Sequence, residues 1–390
     1  MNIVKAQRLN QLPPYLFARI DELKQAALAR GEDVVDLGIG DPDLPSPKIV
    51  IEELHKAASD PANHRYPSSV GLLSFRKAAA DWCRRRFGLD LDPASEVLTL
   101  IGSKEGIGHM PFAFLNPGDV TLVPSPGYPV YKGATILAGG TPYEMPLWEK
   151  NGYLPDLDAI PADILARARL MFLNYPNNPT GATCELPFFE KVVGFARKHD
   201  IIVCHDAAYT EISYDGYRPP SFLQAPGARE VGIEFHSLSK TYNMTGWRIA
   251  FAVGNSQVIA GLAAIKSNLD SGAFQAVQLA GIAALESRES EQSRQAAVGV
   301  YRERRDFAVA ELKGIGIEVT APKAAFYLWF KVPSGETSSS FCTRVLEEAS
   351  VVITPGTGFG RQGEGYARIA LSVDTDRLKE GITRIASLLG

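Results

Sequence analysis

Cysteine is scarce in this chain of 390 residues. Its four cysteines are Cys83, Cys184, Cys204 and Cys342. None forms a Cys-x-x-Cys pair or sits at zinc-finger spacing from a second Cys or His, which excludes a disulfide scaffold and a zinc module. They read as core cysteines in a reducing compartment. Long apolar runs are missing too. None approaches the roughly 18 residues that a membrane-spanning helix requires. A basic excess is absent: 40 Lys and Arg face 44 Asp and Glu, for a net charge of −4. That leaves no sequence-independent grip on nucleic acid. The first residues show no charged leader followed by an apolar stretch and a cleavage site. A cytoplasmic protein is the expectation. Solenoid repeats and low-complexity tracts are absent as well. So are a Walker A stretch and a His-Glu-x-x-His motif. His205-Asp206 offers two metal ligands without a third, so no metal is expected.

What is present is ordinary globular composition, 45% hydrophobic and 22% charged. The length suits two or three units, or one large α/β domain with a satellite. Short apolar strands alternate with helical patterns through the middle of the chain. Strands are expected at 97–101, 120–123, 170–174, 201–204, 232–237 and 249–253. Helices are expected from 105 to 114, 131 to 138 and 186 to 199. This alternation predicts a mostly parallel sheet with helices on both faces. Ligands in such sheets bind beyond the carboxyl ends of the strands. From about Ser287 a long charged helix is followed by expected strands at 317–320, 326–330 and 367–373, and by a helix over 375–389. These form a smaller α+β domain. Residues 1–45, with one helix over 16–29, are expected to pack on it. The parts are 1–45, a large domain over 46–286 and a small domain over 287–390.

Gly358, Gly360 and Gly363 spell Gly-x-Gly-x-x-Gly. The dinucleotide fingerprint needs a helix after it, and here a strand follows, so the segment reads as a hairpin-like loop.

Four other segments carry chemistry. In the first, a strand runs into Ser237-Leu-Ser239-Lys240, with Gly246-Trp-Arg248 eight residues on. Lysine forms Schiff bases with carbonyls. Two hydroxyls and an arginine suit a phosphate. A lysine imine beside a phosphate site is what pyridoxal phosphate needs. Second, the apolar run 201–204 ends in His205-Asp206-Ala-Ala-Tyr209. A carboxylate there can keep a pyridine nitrogen protonated, and Tyr209 can reach the ring's phenolic oxygen. Third, Asn177-Asn178-Pro-Thr-Gly181 is a turn whose Asn178 amide can reach that same oxygen. Fourth, Gly102-Ser103-Lys104 joins a strand to a helix, whose first N–H groups form an anion site.

Together these segments resemble the aspartate-aminotransferase superfamily, the fold type I pyridoxal-phosphate enzymes of class I and II. The match in order and spacing covers essentially the whole chain. The resemblance implies roles. Lys240 holds the cofactor and shuttles a proton. Asp206 pairs with the pyridine nitrogen, Tyr209 and Asn178 bind the ring oxygen, and Tyr128 stacks on the ring. Ser103, Lys104, Ser237, Ser239 and Arg248 bind phosphate, and Tyr66 reaches the phosphate of a neighbouring subunit. Arg368 clamps the substrate α-carboxylate, with Asn178, Gly40 and Tyr128 beside it. It also implies a homodimer with shared sites, and 2-oxoglutarate as acceptor.

Within the superfamily, Gln11-Leu-Pro-Pro-Tyr15, Leu37-Gly-Ile-Gly40-Asp-Pro-Asp, 99–106 and 236–248 are similar to LL-diaminopimelate aminotransferases of lysine biosynthesis. That likeness implies substrate contacts from Tyr15 and from Asn268. Members often carry a Glu shortly after the residue equivalent to Tyr66, suited to a distal ammonium. Here Pro-Ser-Ser-Val70-Gly71 follows Tyr66. Either another group meets that ammonium or the substrate lacks one. An aminotransferase for alanine, aspartate or an aromatic amino acid therefore stays open, as does a pyridoxal-phosphate C–S β-lyase. A regulator with an aminotransferase-like sensor is disfavoured by the −4 charge and by a fold that starts within 40 residues.

Overall fold

The computed structural model describes residues 1, 3–12 and 16–390, without the side chains of 16–20. Twelve strands occur among the described residues. They are β1 (Val35–Asp36), β2 (Val97–Leu100), β3 (Val120–Ser125), β4 (Thr141–Pro146), β5 (Ala168–Asn174), β6 (Ile202–Asp206), β7 (Gly232–Ser237), β8 (Ala250–Gly254), β9 (Tyr327–Lys331), β10 (Val351–Val352), β11 (Thr354–Pro355) and β12 (Tyr366–Ala370). Seven of them make the main sheet, in the order β2-β8-β7-β6-β5-β3-β4. Strands β4, β3, β5, β6 and β7 run parallel, whereas β8 is antiparallel to both β7 and β2. The inner strands are buried on both faces, which is why they read as near-continuous apolar runs rather than as alternations. Among neighbouring parallel strands, Asn174 of β5 lies opposite Asp206 of β6, and Asp206 lies opposite Phe235 of β7. The chemistry-bearing residues therefore meet at one carboxyl edge.

A second sheet, β11-β12-β9, is antiparallel, and β1 pairs with β10 in parallel. The core around this sheet draws in residues from far upstream: Val35 and Leu37, and Ala208, Tyr209, Ile212 and Tyr214. Tyr209 thus belongs to both the main-sheet edge and the second core.

Some expectations need correction. Residues 317–320 make a single bridge, Val319 to Phe330, not a strand. They are hemmed between Gly314, Gly316 and Pro322, too short a span for a ladder. The first 45 residues hold a short helix, Gln7–Asn10, besides Leu16–Ala29. The short helix touches the helix Val130–Leu137, beside the main sheet. Strand β4 carries two prolines and closes the sheet's edge, where a proline costs no ladder bond. The Gly358–Gly363 motif is no hairpin: it forms two 3-10 turns, Gly356–Phe359 and Arg361–Gly363. Between them Gly360 has φ +130°, and a Cβ there would lie 2.2 Å from Ser125 Oγ.

Candidate active site

Lys240 follows β7 in a single helical turn, Leu238–Thr241, capped by Ser237. Its Nζ donates to the Gly40 carbonyl oxygen at 2.8 Å. Burial pulls this ammonium down to about 8, with Arg368 and Arg248 adding to the effect and Asp41 opposing it. A lysine so tuned is a nucleophile near neutral pH.

Asp206, at the end of β6, is buried, and burial raises its carboxyl above the usual range. Tyr131 opposes that shift by donating its hydroxyl to Asp206 Oδ2 at 2.8 Å. Tyr128 packs edge-on against Tyr131, with centroids 5.8 Å apart. Asn174 donates to the Asp206 carbonyl at 2.7 Å and accepts from the Asn178 N–H at 2.8 Å. These two bonds fix the Asn178 turn against β6. The Asn178 amide in turn lies 3.4 Å from the Tyr209 hydroxyl.

Arg368, on β12, is almost fully buried. Its guanidinium lies between two rings, 4.4 Å from the Tyr327 centroid and 4.6 Å from that of Phe359. It donates to Asn178 Oδ1 at 2.8 Å and to the Gly38 carbonyl at 2.5 Å. Its buried Nε has no hydrogen-bond partner. An unspent donor on a desolvated cation is what an incoming carboxylate would use. Gly38, not Gly40, gives the carbonyl that touches Arg368. Gly40 lies instead against Tyr327, whose hydroxyl would be 2.1 Å from a Cβ there.

At the other end, Gly102 caps the helix Ser103–Phe114 with φ +75°. Arg248 crosses the Gly102 backbone so closely that a Cβ would lie 2.1 Å from its Nη2. Ser237 and Ser239 are buried nearby, and the Ser239 N–H reaches Ser237 Oγ at 3.3 Å. Ser103 is half-buried and the Lys104 side chain is exposed, which leaves their backbone as the part that can serve an anion.

The sequence overlooked Tyr327, Tyr131 and Phe359. Tyr327 is the hub: its hydroxyl is 2.9 Å from that of Tyr209 and its ring carries Arg368. Tyr131 lies three residues after Tyr128, just inside the helix Val130–Leu137, and its N–H reaches the Tyr128 carbonyl at 3.3 Å; that closeness in sequence was the available signal. Two expected residues lie on the surface of this chain, unlike the buried Lys240 ammonium. Tyr66 is 93% exposed, and Asn268 is an exposed residue bonded to the Ala264 carbonyl. Their segments adjoin each other, since a Cβ at Gly272 would lie 2.1 Å from the Ser68 carbonyl. Tyr15 lies outside the described residues.

A tuned lysine, a buried carboxylate and an arginine-backed helix terminus, set at the edge of this sheet, define an enzyme of the aspartate-aminotransferase fold. A single mutant of Thermus thermophilus aspartate aminotransferase matches with a TM-score of 0.93 at 28% identity over 100% of both chains. The family model for aminotransferase class I and II matches residues 32–385. The LL-diaminopimelate aminotransferase of Syntrophobacter fumaroxidans is 58% identical over 391 residues, with all of both chains covered. That of Moorella thermoacetica is 59% identical over 389 residues, 99% of this chain and 98% of its own. This chain belongs to the class I and II aminotransferases. It is a transaminase, and its cofactor is pyridoxal 5′-phosphate. The residues present fit that group: a cradle at Gly102 backed by Arg248, a lysine of lowered basicity, and a buried acid. Among the described residues, no helix is long and apolar enough to cross a membrane.

Proposed function

We propose that the protein moves an amino group between LL-diaminopimelate and 2-oxoglutarate, yielding tetrahydrodipicolinate and glutamate or the reverse, in lysine biosynthesis. The observation that carries this reading is 58–59% identity over essentially the whole length with two proteins of that activity.

Pyridoxal phosphate supplies an aldehyde for the substrate amine and a ring that accepts the electrons of the broken Cα bond. The chain's own residues do the rest. Lys240 Nζ would be the group that holds the cofactor, and as a free amine it would serve as the general base for the substrate's Cα proton. Asp206 holds the ring nitrogen protonated, and Tyr209 with Asn178 holds the ring oxygen. Tyr128 covers the ring. Ser103, Lys104, Ser237, Ser239 and Arg248 hold the phosphate. Arg368 takes the α-carboxylate, with Asn178 and Gly40 beside it. The working unit is a homodimer in which Tyr66 and Asn268 serve the neighbouring subunit's site, while Tyr15 contacts the substrate. Residues 46–286 act as the cofactor-binding part and 287–390 as the smaller part, with 34–38 joining the latter and Gly40 reaching the former.

Val70 is half-buried and packs on the same apolar cluster as Tyr128, so it offers no charge to a distal ammonium. Asp41, exposed and next to Gly40, is a carboxylate close enough to act on Lys240 and is our choice for that role. The second reading that Val70 favours is an aminotransferase whose substrate has no distal ammonium.

A cofactor spectrum during titration tests the reading. LL-diaminopimelate should remove the lysine-bound band, and 2-oxoglutarate should restore it. A band that ignores diaminopimelate but responds to glutamate would reject this substrate and keep the aminotransferase.

A further inference from the structure

Lys266 has no exposed surface, an uncommon place for a lysine. It sits on the helix Ser256–Leu269, which packs on the helix Ser103–Phe114. Its Nζ lies 3.0 Å from Glu105 Oε1 and 4.0 Å from Asp270 Oδ2. Glu105 is the third residue of the helix that Gly102 caps. Its other oxygen, Oε2, accepts the Ile101 N–H at 2.8 Å, which closes the 101–105 turn. His109, one turn on, places Nδ1 at 3.2 Å from Glu105 and 3.5 Å from Asp270. Glu105, His109 and Asp270 are donors of the metal-binding kind, but the Lys266 ammonium already supplies their cation.

A carboxylate in the first turn suits the helix dipole and the turn. It does not suit a phosphate dianion arriving at the same helix end, because like charges repel through a poorly screened interior. The charges around Glu105 resolve this conflict. Burial and the neighbouring Glu105 push the Asp270 carboxyl up, while His109, Lys266, Asp270 and the Ile101 N–H draw Glu105 down to about 2 despite burial. The geometry sets the Lys266 ammonium directly against Glu105 at 3.0 Å, with the Asp270 carboxyl further off at 4.0 Å.

We propose that Lys266 is a positioning residue for the cofactor's phosphate site: paired with Glu105, it cancels a carboxylate that would otherwise oppose the anion, while leaving that carboxylate to hold the turn. This rests on the reading of the Gly102–Arg248 cradle as the phosphate site. Lys266 acts through Glu105.

The test compares binding of pyridoxal 5′-phosphate and of pyridoxal, which lacks the phosphate, to the full chain freed of cofactor. In wild type the phosphate ester should bind far more tightly. Lys266→Met should cut that preference tenfold or more while leaving pyridoxal binding within about twofold. The double variant Lys266→Met with Glu105→Gln should regain most of it, since both charges are gone. If Lys266→Met does not fold, Glu105→Gln alone still decides. It leaves the ammonium unopposed, so the preference should hold or rise. An unchanged preference in Lys266→Met, or a lost one in Glu105→Gln, overturns the proposal. A wild type without any preference would instead overturn the phosphate-site reading beneath it.

Discussion

Lys240 Nζ donates to the Gly40 carbonyl oxygen across 2.8 Å, tying the nucleophile to a segment 200 residues earlier in the chain. The bond steadies an ammonium that burial has made less basic. Only the neutral amine attacks an aldehyde. The rate of covalent capture of pyridoxal 5′-phosphate by the cofactor-free protein should therefore rise with pH about a midpoint near 8, well below the ordinary lysine value of 10.5. The folded protein releases this proton before the unfolded chain does. Between about 8 and 10.5 the unfolded state thus binds more protons, and stability gains with rising pH. Denaturant titrations of wild type against Lys240→Ala should show that gain in the first and not in the second. The variant should also lose turnover and the lysine-bound absorbance; turnover retained would remove Lys240 from its role.

Arg368→Lys should raise the KM for the amino acid by on the order of 100-fold. A point charge can neither fork onto a carboxylate nor lie flat between Tyr327 and Phe359. Losing one partner of a buried charge pair costs roughly 2–5 kcal/mol. Steady-state kinetics check this, and an unchanged KM would mean another group clamps the carboxylate.

Gly102→Ala meets two obstacles at once. The backbone there is left-handed, and the new methyl would collide with Arg248. Strain of about 1 kcal/mol is expected from the conformation alone. Arg248 must also swing away from the cradle. The dissociation constant for pyridoxal 5′-phosphate should rise at least tenfold, more than the fall in thermal midpoint would suggest. Spectroscopic titration beside a melting curve separates the two effects.

Asp41→Asn should weaken LL-diaminopimelate selectively. Its exposed position limits the loss to a few-fold in KM, because solvent screens the pair. The KM for glutamate, which has no distal ammonium, should stay as it was. Equal effects on both substrates would move Asp41 out of the specificity role.

The residues that could be read from sequence share a property: their neighbours along the chain already state their surroundings. The helix Leu186–His199, β7 and the helix Thr375–Leu389 follow from periodicity and bounding polar residues, and their ends fall where expected. Asp206 ends β6, Lys240 and Asn178 follow β7 and β5 within four residues, and Arg248 leads into the antiparallel β8, all at the edge where a parallel sheet collects its chemistry. Tyr327 was hidden because its job depends on Arg368 and Tyr209, 41 and 118 positions away. Nothing beside Tyr327 in the chain records either contact. Lys266 was hidden for the same reason, its partner Glu105 being 161 residues distant. Strand β4, with prolines at 142 and 146, carries little strand signal of its own and is held by β3.

The pairing of β2 with β8 places Gly102 and Arg248 side by side although about 150 residues of chain separate them. Closing so large a loop is entropically slow, and β2 has no other partner in its sheet. During synthesis β2 must wait, with its ladder groups unmet, until β8 has left the ribosome. The anion cradle is thus absent from any nascent chain shorter than about 250 residues and forms together with that late pairing. Capture of the cofactor is in this sense a report that the sheet has been completed, and free pyridoxal phosphate should favour finished molecules over partly built ones by mass action.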